Sequence, residues 1–545
     1  MKLHQLPILV IIFLYSCSSS EEQQADLIVF NGKIYTIDIE NTIAEAFVVK
    51  DGKILEIGPS RKLMNKYKSR ELYNANGKSI YPGFIDGHCH FYGYGTNLFR
   101  VNLSGTLSFE EVLEKLQVWH NSYPNDWIIG RGWDQNEWKI SNYPDNKELD
   151  KLFPEVPVIL ERIDGHAVIA NSAALLIAGI TGQTKIPGGI VEVYPGTSKA
   201  TGVLMDNAAD RVLAIIPLPT RAQQIQALLK SQENCFEKGL TSVDDAGLDR
   251  NVIELIDSLN KTSVLKMRIY AMITANKENL EYYLEKGIYK SDYLNVRSFK
   301  LYGDGSLGSR GALLLEEYTD KPGHFGVMIH DTAFYKEYAT RLYEKGFQMN
   351  SHCIGDSAVR MMLNIYGGVL KGSNDKRWRI EHAQNVHADD LSLFSKYNVI
   401  PSVQPTHAIS DMHWAIDRLG PMRIKYSNVY NDLLKQNGFI VSGSDFPVES
   451  INPLLGFYAA VARKDVKGFP EGGFNPENAI TRDQALKAMT IWAAISNFEE
   501  NEKGSIEIGK FADFVILEKD IMTTPLSEIP SIKVVNTFVG GVKVF

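Results

Sequence analysis

The chain has 545 residues, 44% of them hydrophobic and 22% charged. Those fractions are ordinary for globular proteins and exclude intrinsic disorder, collagen and coiled-coil classes, and a chain this long can bury a large core. The 57 basic and 65 acidic residues give a net charge of −8 with no block of like charge, which speaks against a nucleic-acid partner.

In chain order, Lys2 precedes an apolar run from Leu6 to Leu14, and Leu14-Tyr15-Ser16-Cys17 follows. A basic start and about ten apolar residues predict a signal peptide over 1–16, too short to span a membrane as a helix. The Leu-x-Ser-Cys ending resembles a bacterial lipobox, which makes Cys17 the expected lipidation site and 17–25 a tether. The expected location is the envelope of a bacterial cell, periplasmic or surface-exposed, with the membrane touched through that anchor alone. The other cysteines, Cys89, Cys235 and Cys353, show no CxxC spacing and predict buried free thiols.

Residues 26–80 read as short strands. Ala25 to Phe30 and Lys33 to Ile37 flank Asn31-Gly32, and Ala46 to Lys50 and Lys53 to Gly58 flank Asp51-Gly52. Asn-Gly and Asp-Gly between apolar runs predict hairpins, because both turn residues take positive φ. The C-terminus repeats this grammar in Ala512 to Leu517 and in Val534 to Phe545, with Gly540-Gly541 as the turn. A lone hairpin is marginal in water, so 26–80 and 504–545 are expected to complete one β-sandwich, with 81–503 inserted between them.

Within that insert, strand-like runs alternate with helical ones. Ser108-x-x-Glu111 and Thr481-x-x-Gln484 open helices as capping boxes, and Gly239 closes a run from Thr220. The strand candidates are Ser79 to Ile85, Ser298 to Tyr302, Gln348 to His352, Trp378 to His382, Ile400 to Gln404 and Phe439 to Ser444. The alternation predicts an α/β fold, a distorted TIM (β/α)8 barrel with its chemistry at the C-terminal strand ends. The stretch of about 93–204 is too long for one βα connection and predicts an inserted cap subdomain.

Twelve histidines sort by context. His88-Cys89-His90 ends an apolar strand, and residues two apart on a strand face one side. His352 follows Phe347 to Ser351, His382 follows Trp378 to Glu381, and Asp445 follows Ile440 to Ser444. Each alone reads as an ordinary structural residue. Four histidines and an aspartate, all at the ends of apolar runs, predict a metal site, and imidazole ligands suit zinc.

At these residues the sequence resembles the amidohydrolase superfamily, in particular the YtcJ-like and N-substituted formamide deformylase-like branch (amidohydrolase family 3). The likeness covers about 25–545. It is carried by Pro82-Gly83-Phe84-Ile85-Asp86-Gly87-His88-Cys89-His90, the run Phe299 to Arg310, His352-Cys353-Ile354-Gly355-Asp356, Glu381-His382-Ala383-Gln384 and Ser444-Asp445-Phe446-Pro447. The resemblance implies that His88 and His90 hold one Zn²⁺, that His352 and His382 hold a second, and that a carboxylated Lys300 bridges the two. It makes Asp445 a metal-associated general base, taking a proton as activated hydroxide attacks a carbonyl and returning it to the leaving nitrogen. Glu161 to Ala167, through Asn171 to Leu175, resembles a further signature of that branch and places His166 at the substrate carbonyl or oxyanion, a hydrogen-bonded structural histidine being the plainer alternative.

Three more residues are candidates for substrate contact. Trp133, in Gly130-Arg131-Gly132-Trp133-Asp134, is expected over the pocket, core being the plainer alternative. Asp304 and Arg310 lie in the Gly-rich loop after Lys300, where Arg310 would bind a substrate carboxylate or else form a loop salt bridge. His120, His324, His330, His387, His407 and His413 are read as non-ligands. The expected activity is metal-dependent hydrolysis of a C–N bond in a small amide-type molecule, with a homodimer compatible. The alternatives are an inactive surface solute-binding lipoprotein on the same fold and a metal-dependent phosphoesterase.

Overall fold

The computed structural model describes residues 23–122 and 126–545; the expected signal peptide and Cys17 lie outside the described residues. Eight parallel strands form the central sheet: β1 (Phe84–Cys89), β2 (Leu240–Leu248), β3 (Arg268–Thr274), β4 (Leu294–Tyr302), β5 (Gln348–Cys353), β6 (Arg379–His382), β7 (Ile400–Val403) and β8 (Val441–Ser442). They pair in sequence order, and the first and last strands meet where Asp445 N donates to His88 O at 2.7 Å. Backbones approach closely there: a Cβ on Gly87 would lie 2.3 Å from Val441, and one on Gly443 would lie 2.4 Å from His88 N. The barrel of the sequence reading is therefore present and nearly closed.

Strands from both chain ends share one six-stranded sheet, in which Phe514–Leu517 runs antiparallel to Ser79–Pro82 with Ile516 opposite Ile80. A four-stranded sheet, Lys53–Gly58, Ala46–Lys50, Gln23–Phe30 and Tyr67–Asn74, packs on it. Leu27, Phe47 and Val49 of one sheet share a buried core with Ile80, Phe514 and Phe538 of the other. Burying both faces against each other stabilises strands that neither chain end could hold alone.

Two readings of the N-terminal strands are corrected. Asp51-Gly52 closes the expected hairpin, but Asn31-Gly32 does not: Gln23–Phe30 and Lys33–Tyr35 lie in different sheets, so that turn carries the chain from one layer to the other. Ser79 to Ile85 is two strands, not one. The chain leaves the sandwich at Pro82 and enters the barrel at Phe84, and the step needs glycine, since a Cβ on Gly83 would lie 2.2 Å from Thr241 Oγ1.

The capping box at Thr481 is formed, and Thr220 with Gln223 forms another at the start of the helix Arg221–Glu237. At Ser108 the Glu111 amide donates to the serine oxygen at 3.3 Å. Between β1 and β2, six strands from Val101–Asn102 to Ala200–Asp206 build a separate sheet with its own core of Val112, Leu116, Trp133, Leu160 and Ile169. This is the cap. Among the described residues no helix is long and apolar enough to cross a membrane. Cys89, Cys235 and Cys353 are buried free thiols, as expected.

Candidate metal centre

The barrel rim gathers His88 and His90 from the end of β1, Lys300 from β4, His352 from β5, His382 from β6 and Asp445 just beyond β8. One ligand atom from each of His88, His382 and Asp445 lies within 4.8 Å of the others. The His352 ring is centred 4.5 Å from His382, and that of His90 is 5.9 Å from His88. Lys300 Nζ is 3.1 Å from His88 Nε2.

Three of the imidazoles are oriented by acceptors behind them. His88 Nδ1 meets Glu381 Oε2 at 2.6 Å, His90 Nδ1 meets the Ala246 carbonyl at 2.9 Å, and His382 Nδ1 meets Gln404 Oε1 at 2.7 Å. Each acceptor suits a hydrogen bond from Nδ1–H, which turns Nε2 inward, the usual arrangement behind a metal-binding histidine. Burial favours the neutral rings: it pushes His88 down to about 4, with the Lys300 charge adding to the effect, and it holds His352 and His382 well below the ordinary histidine value. Burial also lowers Lys300 to about 8, against the opposing pull of Glu381 and Asp445. Asp445 stays well below the usual carboxylate range despite burial, because His90, His88 and His382 surround it.

The donor set fits a cation. Asp445 Oδ1 is buried and makes no hydrogen bond among the described residues, although His90 Nε2 stands 3.2 Å away and His88 Nε2 3.6 Å away. A buried carboxylate oxygen beside two inward-facing ring nitrogens is a donor set that suits a divalent cation. His382 and Asp445 both hold left-handed backbone, with φ of 72° and 60°, a strained choice for non-glycine residues that clusters at functional sites.

A cavity of about 940 Å³ opens over the rim and is roofed by the cap. His166 reaches it from the cap, its ring 4.9 Å from that of His352, with Nδ1 2.9 Å from Asp206 Oδ1. Burial disfavours the charged ring, but Asp206 outweighs it and His166 is raised. Two substrate candidates are elsewhere. Trp133 is only 1% exposed, bonds the Leu160 carbonyl through Nε1 at 2.8 Å, and belongs to the cap core. Arg310 is held by Asp320 through two bonds of 3.1 and 2.8 Å and faces a different, smaller cleft. Asp304 lies beneath the floor, accepting from the amides of Leu313, Ile354 and Gly355 and sitting 3.7 Å from His352 Nε2. It supports the loop and His352.

His407, read as a non-ligand, lines the cavity with its Nε2 3.7 Å from Asp445 Oδ2 and its ring nearly parallel to that of His382. The signal available in the sequence was its place just after a strand, in the helix Pro405–Asp411. Glu381, part of a quoted motif, orients His88.

A parallel barrel that collects buried imidazoles and a carboxylate at its C-terminal rim is the architecture of a metal-dependent hydrolase. The signature of the amidohydrolase family matches residues 71–545, and the chain belongs to that family. It is 32% identical over 518 residues to the putative amidohydrolase YtcJ of Bacillus subtilis, covering 94% of this chain and 97% of that protein. It is 25% identical over 551 residues to N-substituted formamide deformylase of Arthrobacter pascens, covering 95% and 98%. An uncharacterized metal-dependent hydrolase from Pyrococcus horikoshii superposes with a TM-score of 0.75 at 26% identity, over 92% of this chain and 99% of that one.

Proposed function

We propose that this chain hydrolyses a C–N bond of amide type in a small molecule, using divalent metal held by His88, His90, His352, His382 and Asp445, with Lys300 as a carboxylated bridge between two zinc ions. The observation that carries the reading is the buried Asp445 Oδ1, without a hydrogen-bond partner among the described residues, beside the inward-facing Nε2 atoms of His88 and His90. The ions would supply an acidified water and a polarised carbonyl. Asp445 takes the proton lost by that water and returns it to the nitrogen as the C–N bond breaks and the new C–O bond forms. His166, above the rim, faces the substrate carbonyl from the cap side. The cap excludes water from the cavity.

Likeness to a formamide deformylase favours linear N-acyl or N-formyl compounds as the first substrates to try; cyclic amides and imides come next. We propose further that the mature protein is tethered to the cell envelope through a lipid on Cys17. The test is a turnover screen of zinc-loaded protein against N-formyl amines, N-acyl compounds, cyclic imides and phosphoesters. Hydrolysis confined to the amide classes and lost in Asp445→Asn supports the proposal. Hydrolysis of phosphoesters alone, or tight binding of an amide without turnover, overturns it in favour of a phosphoesterase or a binding protein.

A further inference from the structure

The cap strand Ala200–Asp206 ends on a residue that the surrounding structure goes to unusual lengths to hold. Asp206 adopts φ 50° and ψ −125°, a strained conformation for a non-glycine residue. Its carboxylate is seated against two glycines of the barrel loop that follows Lys300: a Cβ on Gly305 would lie 2.5 Å from Oδ1, and one on Gly311 would lie 2.7 Å from Oδ2. Oδ1 accepts from His166 Nδ1 at 2.9 Å, and the Asp206 amide donates to the His166 carbonyl at 2.9 Å. Oδ2 is buried with no hydrogen-bond partner among the described residues. Among the described residues the carboxylate thus has one bonded partner, the His166 ring, and that ring lines the cavity beside His352.

We propose that Asp206 is the positioning residue of His166: it holds the Nδ1 proton, fixes the tautomer and rotamer of the ring, and so presents Nε2 to the substrate on the side facing the cap. The inference rests on the proposed amide hydrolysis and extends it. The barrel supplies Asp445 from below and the cap supplies a His–Asp pair from above. Gly305 and Gly311 are the seat through which the barrel loop keeps the cap's pair in register.

The test separates this inference from the hydrolase reading. Nitrogen-15 NMR of histidine-labelled, metal-free protein, with His166 identified by difference against His166→Gln, reports the tautomer without any substrate. The Nδ1–H form is expected in the wild type and the Nε2–H form in Asp206→Asn, because the asparagine amide would donate to Nδ1. With the best substrate of the amide screen, Asp206→Asn is expected to lower kcat by about 100-fold or more while KM and zinc content stay unchanged, as losing the orienting carboxylate of a catalytic imidazole does. The double variant His166→Gln/Asp206→Asn is expected to be no slower than His166→Gln alone. Gly305→Ala, which crowds the carboxylate, should move kcat in the same direction. An unchanged tautomer in Asp206→Asn, or losses that multiply in the double variant, would overturn the assignment. Absence of any amide turnover in the wild type would instead defeat the hydrolase reading and leave the tautomer result to be judged alone.

Discussion

Glu381 accepts a 2.6 Å hydrogen bond from His88 Nδ1, and that bond turns Nε2 of the same ring toward Asp445 and Lys300. Glu381 is held in turn by Arg379, whose guanidinium also reaches Asp244 at 2.8 Å and the Gly87 carbonyl at 2.5 Å. A buried network joining β1, β2 and β6 therefore ends on one ring nitrogen at the centre of the rim. Losing such an acceptor costs about 10–100-fold in metal affinity in other sites. Glu381→Gln is expected to weaken zinc binding by about that factor in a chelator competition titration. Unchanged affinity would show that the orientation of His88 is set elsewhere.

Arg379 is the counter-ion of two buried carboxylates, Glu381 and Asp244. Removing one partner of a buried ion pair leaves an uncompensated charge and costs about 3–5 kcal/mol. Urea unfolding of Arg379→Met is expected to show a loss of about that size. A loss no greater than that of an exposed arginine would contradict the network.

The Asp245 carboxyl, bonded to the Tyr92 amide at 3.0 Å, is pushed up to about 7 by burial. Its value in an unfolded chain is about 3.9. Below that value both states hold the proton. Between the two values the unfolded chain has released it and the folded chain has not, so stability falls as pH rises, and above about 7 the penalty is complete. Asp245→Asn keeps an acceptor for Tyr92 but does not titrate. It should gain stability relative to the wild type as pH rises from about 4 to about 7, read by urea unfolding across that range; a difference that does not change with pH would refute the assignment.

Trp133 fills the cap core, so Trp133→Ala is expected to cost about 3–5 kcal/mol through the cavity it leaves. The mild variant Trp133→Phe should leave KM for any substrate unchanged. A raised KM with unaltered thermal stability would return Trp133 to the pocket.

The residues gathered at the barrel rim were readable because each ends a run that must be apolar to sit in a barrel. His352, His382 and Asp445 appear where such a run turns polar. The strand β2 was not readable, since Asp244 and Asp245 interrupt it, and what makes Asp244 tolerable there is an arginine far along the chain. Asn31-Gly32 has the same local chemistry whether it closes a hairpin or crosses between sheets; only the partner strands decide. Arg310 makes the loop salt bridge that was one of its two readings, and its partner Asp320 was not marked in the Gly-rich motif. The left-handed backbone of His382 and Asp445 has no marker either, as neither position is glycine.

The account depends on a divalent cation at the barrel rim, and elemental analysis of the purified mature protein beside its intact mass tests that most directly. The prediction is two zinc ions per chain, falling in Lys300→Ala, together with a mass increment of one CO₂ on the wild type under native conditions. No tightly bound metal, with His88→Ala and His352→Ala indistinguishable from the wild type, would contradict it.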